Sequence, residues 1–212
     1  WWGLAGVAAF SFTVPFTTQL YNSRITTGTV TNPAGKTLSL FAYTTVTGTL
    51  INAGTLIASG PTDSIRGTFT SQAGSLLRVE GNINYGHASL TFSNGWTNNG
   101  KIELTTSYAY DALLTVVSGT LTNPAGDTII SLPGPYNSGN RTIAASIDNQ
   151  GVIDVTYPLT ISKTTATYTN TGTVSISSGK TLTVTSGTLV NNTGTFSGAG
   201  TSGVWMVRIS AE

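Results

Sequence analysis

Eight carboxylates are the groups in this chain best suited to acid–base chemistry: Asp63, Glu80, Glu103, Asp111, Asp127, Asp148, Asp154 and Glu212. A glycosidase needs two such groups at a set separation across the scissile bond. Asp148 and Asp154 come closest by spacing, one on each side of a turn. Glu103 and Asp127 fall on adjacent repeats. Neither pair has a flanking motif, and the favoured reading is that these are exposed carboxylates on a polar surface. The one histidine, His87, has no second histidine or any cysteine to join it in a transition-metal site. No Ser-His-acid set can be placed from spacing. The glycines form neither a phosphate-binding nor a dinucleotide motif. No catalytic, cofactor-binding or metal residue is therefore assigned, and the chain is expected not to be an enzyme.

Two features suit binding instead. Tyr108, Tyr110 and Tyr136 stand in segments rich in Gly, Pro, Ser and Asn; packing in the core or loops is the favoured reading, and exposed rings there could instead stack on sugars. The second feature is threonine. Thr29-x-Thr31, Thr68-x-Thr70, Thr120-x-Thr122 and Thr167-x-Thr169 place hydroxyls on the outward face of extended segments. Flat ranks of this kind resemble the ice-binding surface of antifreeze proteins. The ranks are interrupted at Ile51, Gly95, Asp148 and Val190, and threonine is in any case favoured on exposed strands.

The elements that carry these residues repeat. Gly119-Thr120-Leu121-Thr122-Asn123-Pro124-Ala125-Gly126 closely copies Gly28-Thr29-Val30-Thr31-Asn32-Pro33-Ala34-Gly35. Aligned on the corner residue, the copies place it at Asn32, Asn52, Ser71, Asn98, Asn123, Asn149, Asn170 and Asn191, every 19 to 27 residues. That period marks a solenoid. Apolar residues two places before each corner (Val30, Leu50, Phe69, Trp96, Leu121, Ile147, Tyr168, Leu189) fall on one strand face, the interior. A second inward set is expected two places after each corner glycine, including Leu56, Leu76, Ile102, Ile153, Val174 and Phe196. Gly35, Gly54, Gly74, Gly100, Gly126, Gly151, Gly172 and Gly194 are expected where the backbone is left-handed or otherwise strained. The corner asparagines can stack into a ladder along the axis. Residues 80–95, 105–112 and 133–141 read as insertions, the first as an extra strand pair.

Composition agrees with ordered strands. Only 8% of residues are charged, against about 25% in an ordinary domain. Net charge is +1, with no basic patch to attract nucleic acid or anionic lipid. No apolar stretch approaches the ~20 residues of a membrane span. The apolar start, Trp1 to Phe10, is read as a mature N-terminus. The sparse charge and abundant polar small residues suit an extracellular protein.

The G-T-apolar-x-N-x-G-x-apolar rhythm over residues 28–198 resembles the right-handed parallel β-helices of bacterial surface proteins, above all autotransporter passengers and haemagglutinin-type adhesins of two-partner secretion. Asn32-Pro33 and Asn123-Pro124 are similar to an Asn-Pro corner of the second group. The resemblance implies an all-β fold, a right-handed parallel β-helix of eight or more coils, exported to the cell surface; it assigns no functional residue. One domain is expected over residues 1–212: entry or cap strands at 1–27, repeats at 28–198, and a cap or interface strand at 199–212. Neither end looks polar. Trp1, Trp2, Phe10 and Phe12 at the start, and Val204, Trp205, Val207 and Ile209 at the end, form a candidate head-to-tail interface. The expected role is a structural subunit of an extracellular fibre or surface layer. The alternative is an adhesin or carbohydrate-binding module contacting glycan or a host surface through Tyr108, Tyr110 and Tyr136, with ice binding as a third reading.

Overall fold

The structure, a computed structural model, describes residues 11–204. The first coil holds β1 (Phe12–Thr13), β2 (Thr18–Tyr21) and β3 (Arg24–Ile25). The second holds β4 (Thr29–Asn32), β5 (Thr37–Phe41) and β6 (Thr45–Val46), and the third β7 (Thr49–Asn52), β8 (Thr55–Ala58) and β9 (Asp63–Ile65). The fourth has β10 (Phe69–Ser71), β11 (Ser75–Gly81) and β12 (Ala88–Thr97). Later coils add two strands each. These are β13 (Gly100–Thr106) with β14 (Ala112–Asn123), β15 (Thr128–Ser131) with β16 (Arg141–Asn149), and β17 (Val152–Val155) with β18 (Leu159–Asn170). Last come β19 (Thr173–Ile176) with β20 (Thr181–Asn191), then β21 (Thr195–Ser197) with β22 (Thr201–Val204).

All strands pair in parallel with the equivalent strand of the next coil, giving one sheet of four strands and two of nine. The chain is a parallel β-solenoid of about nine turns, with no helix among the described residues. Parallel pairing needs a long crossover; here the rest of each coil supplies it. The four-stranded sheet is continued by the C-terminal halves of β12, β14, β16, β18 and β20. In these coils two strands merge across a register shift, at Asn94–Trp96, Thr115–Thr120, Ile143–Ile147 and Ile161–Thr167. A bulge bends a strand without ending it, so the corner needs no separate turn.

The interior follows the period-2 pattern. Val30, Leu50, Leu121, Leu38, Leu56, Ile102 and Ile129 are fully buried, and Phe69 and Leu189 pack against the same core. Leu76 departs from expectation. It is half-buried, and Leu77 is the inward residue, in register with Leu56 and Ile102. Phe196 also departs, being 39% exposed on β21.

Corner length explains the shift at Leu76. In the short corners, at Asn52, Asn98, Asn149 and Asn170, glycine is two residues after the asparagine. In the long corners, at Asn32, Ser71 and Asn123, it is three residues after, and the next inward side chain is delayed by two. The two kinds use glycine differently. The long-corner glycines Gly35, Gly74 and Gly126 have φ of +74°, +74° and +94°, each within a turn closed by Lys36 N–Pro33 O, Ser75 N–Gln72 O or Asp127 N–Pro124 O. The short-corner glycines do not have positive φ. At Gly151 an added Cβ would overlap the carbonyl oxygens of Pro124 and Asp127 in the coil below. This corrects the expectation of backbone strain at every corner: five of the eight positions, Gly54, Gly100, Gly151, Gly172 and Gly194, need glycine for close approach of stacked coils. Gly151→Ala should therefore destabilise by roughly 3 kcal/mol, as backbone overpacking does. Gly126→Ala, with open space around its Cβ, should lose only about 1 kcal/mol for the left-handed backbone. Urea unfolding of both variants checks the order; equal losses would refute it.

The corner asparagines form the expected ladder. Nδ2 of one donates to Oδ1 of the next at 2.7 Å for Asn32–Asn52, 2.9 Å for Asn98–Asn123, 2.8 Å for Asn123–Asn149, 2.7 Å for Asn149–Asn170 and 2.8 Å for Asn170–Asn191. Ser71 breaks it. There Asn52 turns to Leu76 O, and Ser71 pairs with Ser75 at 2.8 Å.

Candidate functional site

Three loops leave the solenoid at one corner, between the two nine-stranded sheets: residues 82–87 after β11, 107–111 after β13 and 132–140 after β15. The first is not the expected strand pair. It is a tight turn with a single antiparallel bridge, Asn82–Gly86, in which Asn82 Oδ1 accepts from the backbone N–H of Asn84 and Tyr85, both at 3.0 Å. The second is organised by Thr106. Its hydroxyl donates to Gly81 O at 2.7 Å and accepts from Tyr108 N at 3.1 Å and Tyr110 N at 3.3 Å. The third is anchored from beneath by Arg141. Its Nε donates to Leu132 O at 3.1 Å and its Nη1 to Ser138 O at 3.2 Å.

These loops bring the three tyrosines together. The Tyr108 ring centroid is 5.8 Å from that of Tyr110 and 4.7 Å from that of Tyr136, edge to face in the second case. Tyr136 is 60% exposed, and Tyr108 and Tyr110 are half-buried. Polar groups flank the rings. His87 packs edge-on against Tyr110 at 5.4 Å, and its Nδ1 lies 3.1 Å from both Asp111 N and Asp111 Oδ2. Asp111 Oδ1 accepts from Asn140 N at 2.7 Å and from Asn140 Nδ2 at 3.1 Å. The arrangement offers apolar ring faces beside hydrogen-bonding edges, as a sugar site requires.

The register does not bring Asp127 to Glu103, and Asp148 and Asp154 lie on the strands either side of the Asn149–Gly151 corner, as their spacing predicts. Asp148 stands between Thr122 and Thr169 on one sheet and accepts from Gln150 Nε2 at 2.8 Å. Asp154 stands between Ile130 and Ser175 on another. Over Glu103 the register places Ile130, not Asp127. Glu103 is held instead by Arg78, whose Nη2 and Nε lie 2.7 and 2.8 Å from Oε2. Burial pushes the Asp127 carboxyl up. The threonine ranks exist in register, Thr29 beside Thr49 and Thr167 beside Thr188. They are interrupted where Ile51 separates Thr31 from Thr70 and where Asp148 separates Thr122 from Thr169. An open hollow of about 320 Å³ lies beside Gly95, Thr97, Ser118 and Thr120. At Gly95 an added Cβ would overlap the Thr120 backbone. Of the candidate end-to-end contacts, Phe12 pairs with Val30 and packs against the chain's own core. Val204 closes β22; Trp1, Trp2, Phe10, Trp205, Val207 and Ile209 lie outside the described residues.

Burial overturns the expectation of exposed carboxylates at Glu103 and Asp63, and Arg141, expected in the 133–141 insertion, instead opens β16 with its side chain inward. Arg141 is 1% exposed; its guanidinium carbon sits 4.5 Å over the Tyr157 ring. Burial lowers its pKa, against the opposing effect of Tyr157 and Asp111. Asp63 is fully buried. Its Oδ1 accepts from Thr44 N at 2.9 Å, and its Oδ2 has no partner. Both were legible in principle: Asp63 shares strand parity with Ile65, and Arg141 with Ile143, Ala145 and Ile147, all inward. No family model matches the chain, and no curated protein or solved structure matches it either.

Proposed function

We propose that this chain is a non-catalytic, glycan-binding module of an exported bacterial surface adhesin. The observation that carries the reading is the Tyr108–Tyr110–Tyr136 cluster. Its rings come from two separate loops and meet at one corner, with Asp111, Asn140 and His87 beside them. A loop whose only task is to close a coil has no need to converge its aromatic rings with those of its neighbour. The rigid solenoid supports the loops from below, so little ordering opposes binding. The fibre-subunit reading is set second, because the terminal residues it needs lie outside the described residues, save Phe12 and Val204, and Phe12 packs on its own core.

The test is electrophoresis through gels containing a soluble polysaccharide: hydroxyethylcellulose, glucomannan, xyloglucan or, as an acidic member, alginate. The intact chain should be retarded by at least one, and Tyr108→Ala and Tyr136→Ala should each weaken that binding tenfold or more while circular dichroism stays unchanged. No retardation in any gel, or equal retardation of the variants, overturns the reading.

A further inference from the structure

The tyrosine cluster is one part of a longer row of rings. At the same corner, one to four coils earlier, Tyr85 stacks on Phe41 at 4.6 Å with an interplanar angle of 24°, and meets Tyr21 at 6.0 Å. Tyr21 is 48% exposed. The third coil supplies Ser59-Gly60-Pro61 here and no ring. Tyr85, carried on the tight turn at Asn82–Gly86, reaches back across that coil to Phe41. Two residues on, His87 reaches the other way to Tyr110. The small insertion at residues 82–87 thus joins two aromatic groups into one row: Tyr21, Phe41, Tyr85, His87, Tyr110, Tyr108 and Tyr136.

From β2 to β15 this row crosses five inter-coil steps, roughly 24 Å at about 4.8 Å each. The step is close to the length of one pyranose unit in an extended chain, so consecutive sugars meet consecutive coils. We infer that the ligand is a linear, neutral polysaccharide lying along the solenoid axis on this row, and not a terminal sugar held at the three tyrosines alone. Neutrality follows from Asp111. Its side chain is 38% exposed at the centre of the row, where it would repel a uronate. Linearity follows from the row itself, because a branch would face the flanking loops. This inference rests on the glycan-binding reading above and is tested separately from it.

The experiment is calorimetric titration of the intact chain with β-1,4-linked glucose oligomers of two to six units, beside Tyr21→Ala/Tyr85→Ala and Tyr136→Ala. Affinity of the parent should rise with each added unit up to six. The Tyr21/Tyr85 variant should keep its affinity for short oligomers and lose the gain, tenfold or more, for the longest. Because Tyr85 packs on Phe41, a second variant, Tyr21→Ala alone, alters an exposed ring of the row and should lower long-oligomer affinity severalfold. If affinity is independent of length, or the Tyr21/Tyr85 and Tyr21 variants match the parent while Tyr136→Ala abolishes binding, the extended site is overturned and the local glycan site stands. If Tyr136→Ala also leaves binding unchanged, the glycan-binding reading itself fails.

Discussion

Acidification from pH 8 to pH 5 should stabilise this protein, and Asp63→Asn should remove most of the effect. Asp63 faces the interior at a corner where Ala42, Tyr43 and Thr62 all take positive φ. It receives one hydrogen bond, from Thr44 N, and its second oxygen is buried without a partner. Removal from water raises its pKa from 3.8 to about 7, with the Thr44 bond opposing. Between those values the folded state holds a proton that the unfolded state has released. Stability therefore falls as pH rises from about 4 to about 7, and is flat above. At about 1.4 kcal/mol per decade of proton affinity, the full swing is on the order of 4 kcal/mol. Asp63→Asn keeps an acceptor for Thr44 and cannot ionise. The variant should unfold at higher urea than the parent at pH 8, with the gap more than halved at pH 5. A parent whose midpoint does not move between pH 5 and pH 8 would sink the account.

Asn149→Ala should be among the most damaging single substitutions in the repeats, and Asn191→Ala among the mildest at equivalent positions. Asn149 is 1% exposed. It accepts from Asn123 at 2.8 Å, donates to Asn170 at 2.7 Å, and reaches the carbonyls of Gly151 and Thr173 at 3.4 and 3.3 Å. Truncation removes all four bonds at once. It leaves Asn170 Oδ1 without this donor, in a place water does not reach. Each orphaned buried group costs about 1–3 kcal/mol, so a loss of about 3 kcal/mol or more is expected. Asn191 ends the ladder half-buried, bonded to Asn170 and to Gly194 O. Solvent can replace those partners, and its truncation should cost about 1 kcal/mol. Urea midpoints with unchanged m-values report the two losses. Equal losses would show that the asparagines act one coil at a time and not as a ladder.

These two residues illustrate what could be read in advance. Asn149 was legible because its neighbours in sequence repeat: an asparagine followed within three residues by glycine, after an inward apolar residue, defines a corner without reference to any other coil. Asp63 is expected with the exposed carboxylates, although its parity with Ile65 points it inward. An acidic residue on an inward position runs against the usual burial pattern, and only the register of β9 against β12 places it beneath Leu90. The corner glycines were placed correctly but explained incompletely. Whether a glycine serves a left-handed turn or a close approach depends on the coil below, which no local pattern contains.

The repeat, its inward face, the positions of its corners and the parallel β-solenoid that follows from them were all readable along the chain. All of these rest on interactions one strand or one coil long, and strand periodicity together with turn chemistry encodes them directly. Where the insertions meet depends on how the coils stack. Tyr108 and Tyr136 are 28 residues apart in the chain and lie on loops of different coils, with no repeat relating them. The number of residues in each intervening corner sets their meeting at 4.7 Å. A one-residue change in any of those corners would turn the strands that follow to the other face.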